Sequence, residues 1–134
     1  MIKKSLALTV FIFSQFFLSA PSYALKALDE CEKNEQTIEE LSRCLDGVKE
    51  VIDRELQTWV NNHILNFEEK ALITGHYAVL KMFKRSQNNF ITFRDNDCRW
   101  QHLVIFPKDD AGNTYKKCYI LLSKSRIKEL SQVQ

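Results

Sequence analysis

Four cysteines, placed as two local pairs, constrain this chain more than any other feature. Cys31 and Cys44 flank one short segment, and Cys98 and Cys118 flank another. A zinc site would need close ligand pairs such as C-x2-C, and the chain has none. An even set of cysteines in an exported chain reads instead as a disulfide framework. Three pairings are possible, and locality favours Cys31–Cys44 with Cys98–Cys118. In the loop-entropy model each closure contributes roughly 3 kcal/mol. That is a large share of the 5–15 kcal/mol, roughly, that holds a domain folded. Pairing of all four also removes any nucleophilic thiol.

The N-terminus supplies the export that this reading requires. Lys3 and Lys4 form a positive leader, and residues 6–18 form an apolar run interrupted only by Thr9, Ser14 and Gln15. Pro21 breaks the run, and Ser22-Tyr23-Ala24 places small residues where a signal peptidase reads. The apolar run is about 13 residues, short of the ~20 needed to span a bilayer. The expectation is a signal peptide over 1–24 and a single domain over 25–134, periplasmic or secreted, with no membrane insertion after cleavage. The precursor carries 19 Lys+Arg against 17 Asp+Glu. Removing Lys3 and Lys4 leaves the mature part formally neutral. With no basic stripe there is no general pull toward nucleic acid, which is set aside as a partner.

The mature part reads as all-α, a small disulfide-stapled bundle of about three helices with a disulfide-closed loop before the last one. Thr37-Ile38-Glu39-Glu40 has the form of a capping box. Ile38, Leu41, Leu45, Val48 and Ile52 then recur at helical spacing. The stripe continues through Leu56, Trp59, Val60, Ile64 and Phe67, predicting one long helix from about Thr37 to Leu72, with Asn61-Asn62 as a candidate kink. A second helix is expected from His76 to Asp97 and a third from Thr114, carrying Cys118, Leu121, Leu122, Ile127 and Leu130. Arg99 to Asn113 lacks the period and reads as a loop. Three Gly and two Pro in the whole chain suit helices better than a β-sandwich.

One segment stands out. Phe83, Gln87, Phe90 and Arg94 share one face of the second helix. A Gln and an Arg among buried aromatics must be hydrogen-bonded, so the expected role is structural, with Asp95 or Asp97 pairing locally. The pattern Gln87-x-x-Phe90-x-x-Phe93-Arg94-Asp95-x-x-Cys98 is followed by Cys118, Arg126 and Leu130. With Cys31 and Cys44 around the capping box, it resembles the LprI-type lysozyme-inhibitor family over about Leu28 to Leu130. Phe90 stands where that family usually has Trp, and the segment after Cys98 carries Trp100 and an apolar run where a Gly-rich loop is usual. The resemblance implies an exported, helical, non-enzymatic binding protein whose partner is a protein, such as a lysozyme. The competing reading is an accessory envelope module that docks to another exported protein.

The residues themselves show no catalytic constellation. His63, His76 and His102 lack helical-spacing metal partners, no G-x-S-x-G elbow occurs, and carboxylates without a cleft make no glycosidase. No catalytic residue, metal or cofactor is expected. The candidate partner-binding segment is the apolar run with its acidic neighbours: Trp100, Leu103, Ile105, Phe106, Asp109 and Asp110. Aromatic residues of this kind act as interface anchors.

Overall fold

The computed structural model describes residues 23–34 and 37–133. The expected signal peptide lies almost wholly outside the described residues. Within them the chain forms four helices and no strand: α1 (Tyr23–Asn34), α2 (Ile38–Thr74), α3 (Ala78–Ile105) and α4 (Ala111–Gln132). The bundle is all-α and disulfide-stapled, with Cys31–Cys44 and Cys98–Cys118 as its two bridges. The count is four helices rather than about three, because the residues around Cys31, ahead of the capping box, form a helix of their own. α1 turns Leu28 and Cys31 inward, one helical turn apart, onto α2 and α4.

α2 starts where its cap directs. The Thr37 hydroxyl accepts from the Glu40 amide at 3.1 Å, and the Glu40 carboxylate accepts from the Thr37 amide at 3.1 Å. Two backbone donors at the helix start are thereby satisfied. The stripe Leu45, Val48, Ile52, Leu56, Val60 is buried along its length. The helix is continuous through Asn61 and Asn62, where Gln57 donates to the Asn61 side chain across one turn. It ends at Gly75, whose φ of 73° closes an αL cap with its amide on the Ala71 carbonyl at 2.8 Å.

α3 runs beyond its expected end. The segment from Arg99 to Ile105 is helical, so Trp100, Leu103 and Ile105 lie on the last two turns of α3 and not in a loop. The connection to α4 shrinks to residues 106–110. Pro107 enforces the stop, since it disfavours helical backbone at Phe106. α4 begins at Ala111, three residues before Thr114, and buried Asn113 ties it to α2 by donating to the Ile38 carbonyl at 3.0 Å. α4 is the central element: Ile120, Ile127 and Leu130 meet the α1–α2 stripe, with Phe83 and Phe90 of α3 packed against the same core. A smaller core joins Cys98, Cys118 and Tyr119, flanked by Tyr115 and Leu122. α2 spans ~55 Å and α4 only ~33 Å. Near Leu72 and Ile73 the α2–α3 hairpin leaves apolar side chains about three-quarters exposed.

Candidate functional site

Two guanidinium groups organise the α3–α4 contact. Arg94 is buried and donates from Nη1 to the Ser123 Oγ of α4 at 3.0 Å. Its guanidinium lies 3.7 Å from the centre of the Tyr119 ring, a desolvated cation–π stack. The Tyr119 hydroxyl donates to Asp53 of α2 at 2.8 Å. Asp53 also lies 3.9 Å from Arg94 and 3.4 Å from Lys49. Burial, and then the hydrogen bond to Asp53, push the Tyr119 hydroxyl well above the usual tyrosine range, while the Arg94 charge pulls the other way. The chain Arg94–Tyr119–Asp53 therefore links three helices.

Arg126 makes the second node. Its Nε donates to Gln87 Oε1 at 3.2 Å, Nη2 to Ser86 at 3.2 Å and Nη1 to Glu129 at 2.8 Å. The Phe90 ring lies between the nodes, 5.6 Å from the Arg94 guanidinium and 5.5 Å from that of Arg126. The face shared by Phe83, Gln87, Phe90 and Arg94 thus turns toward α4. Asp95 accepts from Arg94 Nε at 3.4 Å and is half-buried. Phe93 stands apart from the buried signature residues Gln87, Arg94 and Arg126: it is more than half exposed.

Sequence reasoning missed Asp53, Tyr119, Ser123, Ser86 and His63. His63 occupies a core position on α2, and its Nε2 lies 2.8 Å from the Leu130 carbonyl, an acceptor that assigns the proton to Nε2. Its ring stacks on Phe67 at 5.7 Å and tilts against Phe83 at 5.5 Å. Beside this cluster lies an apolar cleft of about 520 Å³ between the ends of α2, α3 and α4, lined by Phe67, Val79, Met82, Phe83, Leu130 and Val133. Ser86, Arg126 and Glu129 give it one polar edge.

The candidate partner-binding residues gather at the opposite end of α3. Trp100, Leu103 and Phe106 are all more than half exposed, whereas Ile105 is partly covered. The Trp100 indole donates to Asp97 at 3.0 Å, which holds the ring along the helix surface. Asp109 and Asp110 are exposed in the turn beside them. The Cys98–Cys118 bridge fixes this hairpin end, so its apolar knob stands on rigid backbone rather than on a flexible loop. Among the described residues, no group of His, Cys, Asp or Glu is placed to hold a metal ion, and no helix is long and apolar enough to cross a membrane.

The described residues thus form a two-disulfide helical bundle knit by buried arginines, with apolar side chains exposed at both ends. The lysozyme inhibitor LprI family model matches residues 29–130, and the chain belongs to that family. No curated protein and no solved structure matches it. The family is one of inhibitors, and two disulfides suit an oxidising, extracytoplasmic environment.

Proposed function

We propose that this protein is exported, cleaved after Ala24, and acts without catalysis as a binding protein that inhibits a lysozyme. The family match over residues 29–130 carries this reading. The contact we assign is the α3–α4 hairpin end, where Trp100, Leu103 and Phe106 form an exposed apolar knob beside Asp109 and Asp110. Such a surface suits a basic enzyme. The aromatic residues supply desolvated contact area, and the two carboxylates speed encounter with a positive partner. The disulfide beneath holds the knob in place, which lowers the ordering cost of association. In this reading the signature residues Gln87, Phe90, Arg94 and Arg126 shape the scaffold and touch no partner.

The test uses calorimetric titration of the oxidised, exported protein against lysozymes. Trp100→Ala with Phe106→Ala should leave melting within about 3 °C of wild type, since both side chains are mostly exposed, and should abolish lysozyme binding. Binding that survives both substitutions in a folded protein would move the site elsewhere. Co-purification with a different envelope protein, together with inert behaviour toward lysozymes, would favour the accessory-module reading.

A further inference from the structure

α3 carries two rows of side chains, and only one is used inside the molecule. The core row is Leu80, Gln87, Arg94 and Cys98. The second row runs through Val79, Met82, Ser86, Asn89, Phe93, Asn96, Trp100 and Leu103, at alternating spacings of three and four. Every member is exposed and none is charged. Five of the eight, Val79, Met82, Phe93, Trp100 and Leu103, are apolar, and apolar residues on a 3.5-residue repeat, with an occasional polar one among them, suit a helix that packs along another helix. A solvated face would normally carry Lys and Glu there. The row also ends differently at its two extremes. Val79 and Met82 form one wall of the open apolar cleft of about 520 Å³. Trp100 and Leu103 belong to the projecting knob, with Val104 71% and Phe106 63% exposed beside them. Cleft and knob lie on the same helix, ~27 Å apart by helical rise.

We infer that the protein forms a two-fold dimer through α3, paired antiparallel, with the knob of each copy seated in the cleft of the other. Only the antiparallel arrangement brings cleft to knob; a parallel pair would set cleft against cleft and knob against knob. The register follows from the row itself. Val79 meets Leu103 of the second copy, Met82 meets Trp100, Ser86 meets Asn96 and Asn89 meets Phe93. Apolar layers then close both ends and polar layers sit nearer the centre, where buried Asn fixes register. Sliding by one heptad would set Asn89 against Trp100 and Ser86 against Leu103. A two-fold interface is self-complementary by construction, so each contact is made twice. The face offered by α3 and the adjoining edge of α4 is about 37 Å long and 20 Å wide, roughly 700 Å² per copy. That approaches the ~800 Å² per partner of a stable interface.

One feature of the register gives a sharp test. Arg85 and Arg99 are exposed beside the row on the same flank, and antiparallel pairing sets Arg85 of each copy toward Arg99 of the other. The dimer should therefore tighten with added salt, which screens this repulsion. The inference stands independently of the proposed inhibition. Both use Trp100 and Leu103, however, so self-association and lysozyme capture exclude each other on one copy.

Sedimentation equilibrium of the intact oxidised protein alone decides it. The expected result is a reversible monomer–dimer equilibrium below about 100 µM. Met82→Arg and Phe93→Arg, each at an exposed position, should weaken association at least tenfold, roughly, by burying an unpaired charge twice, in the Met82–Trp100 layers and in the Asn89–Phe93 layers respectively. Their melting temperatures should stay close to wild type; should one variant fold poorly, the other carries the test. Arg85→Glu should tighten the dimer about threefold or more by replacing two repulsive contacts with two ion pairs. A protein that stays monomeric at about 100 µM overturns the inference. So does a dimer indifferent to Met82→Arg and Phe93→Arg, or one weakened by Arg85→Glu.

Discussion

Removing the Arg94 side chain should be one of the most damaging substitutions away from the disulfides. Arg94→Ala strands the Ser123 hydroxyl, which is fully buried and receives its hydrogen bond from Arg94 at 3.0 Å. Leaving such a group unpaired costs about 1–3 kcal/mol. The change also deletes the 3.7 Å stack on Tyr119, and a desolvated stack of this kind contributes up to about 2 kcal/mol. Against these losses, the desolvation of the guanidinium itself is relieved. Asp53 keeps Tyr119 and Lys49 as partners, so its charge is not orphaned. The net expectation is about 3 kcal/mol, a drop of roughly 12 °C in Tm for a domain of this size. Urea unfolding with both disulfides intact gives the free energy directly, provided the m-value is unchanged. Arg94→Lys should recover part of the loss, because a lysine keeps the charge but cannot reproduce the planar stack. A loss below about 1 kcal/mol, combined with abolished partner binding, would refute the scaffold role and make Arg94 a contact residue.

Tyr119 titrates above its ordinary value in the folded protein. Its contribution is therefore fully present below about pH 10 and is lost as pH rises from there toward the folded value; alkaline unfolding followed by circular dichroism should show that decline, and Tyr119→Phe should remove it. The Lys124 ammonium nitrogen is buried with no hydrogen-bond partner among the described residues, and burial lowers its pKa; Lys124→Met should leave Tm unchanged or raise it by a few degrees, and a clear fall would show that Asp29 and Glu55 hold the charge favourably. Replacing Cys31 and Cys44 together by Ser, or Cys98 and Cys118 together, should each cost about 3 kcal/mol in urea unfolding. Near-identical stability of either pair variant and wild type would show that the bridge only decorates an already fixed bundle.

What the sequence disclosed, and what it hid, follows from which interactions are local. The Thr37 capping box and the stripe from Leu45 to Val60 are encoded within a few residues, and α2 forms where they place it. The shared face of Phe83, Gln87, Phe90 and Arg94 was legible for the same reason, and so was the need for hydrogen-bond partners there. The partners were not legible. Asp53, Tyr119 and Ser123 lie 41, 25 and 29 residues from Arg94 along the chain, and only tertiary packing selects them. α1 escaped notice because only Leu28 and Cys31 mark its buried face, two positions close behind a segment read as a leader. The end of α3 was misread because Leu103 and Val104 face solvent. A consecutive apolar run that is not buried leaves no 3.6-residue signature, so the helix extended into what read as a loop. The exposed row from Val79 to Leu103 has a regular spacing, but polar residues interrupt both it and the core row beside it, so the two blur each other when read as a single apolar face.

The central claim is that this bundle restrains a lysozyme by binding it. The most direct measurement adds the intact, oxidised protein stepwise to a fixed amount of lysozyme and follows clearance of a cell-wall suspension. The account predicts a linear fall in activity that reaches its floor near one folded copy per enzyme, with the Trp100→Ala, Phe106→Ala variant leaving activity untouched. Lysozymes that keep full activity in a large excess of the folded, disulfide-intact protein would contradict it.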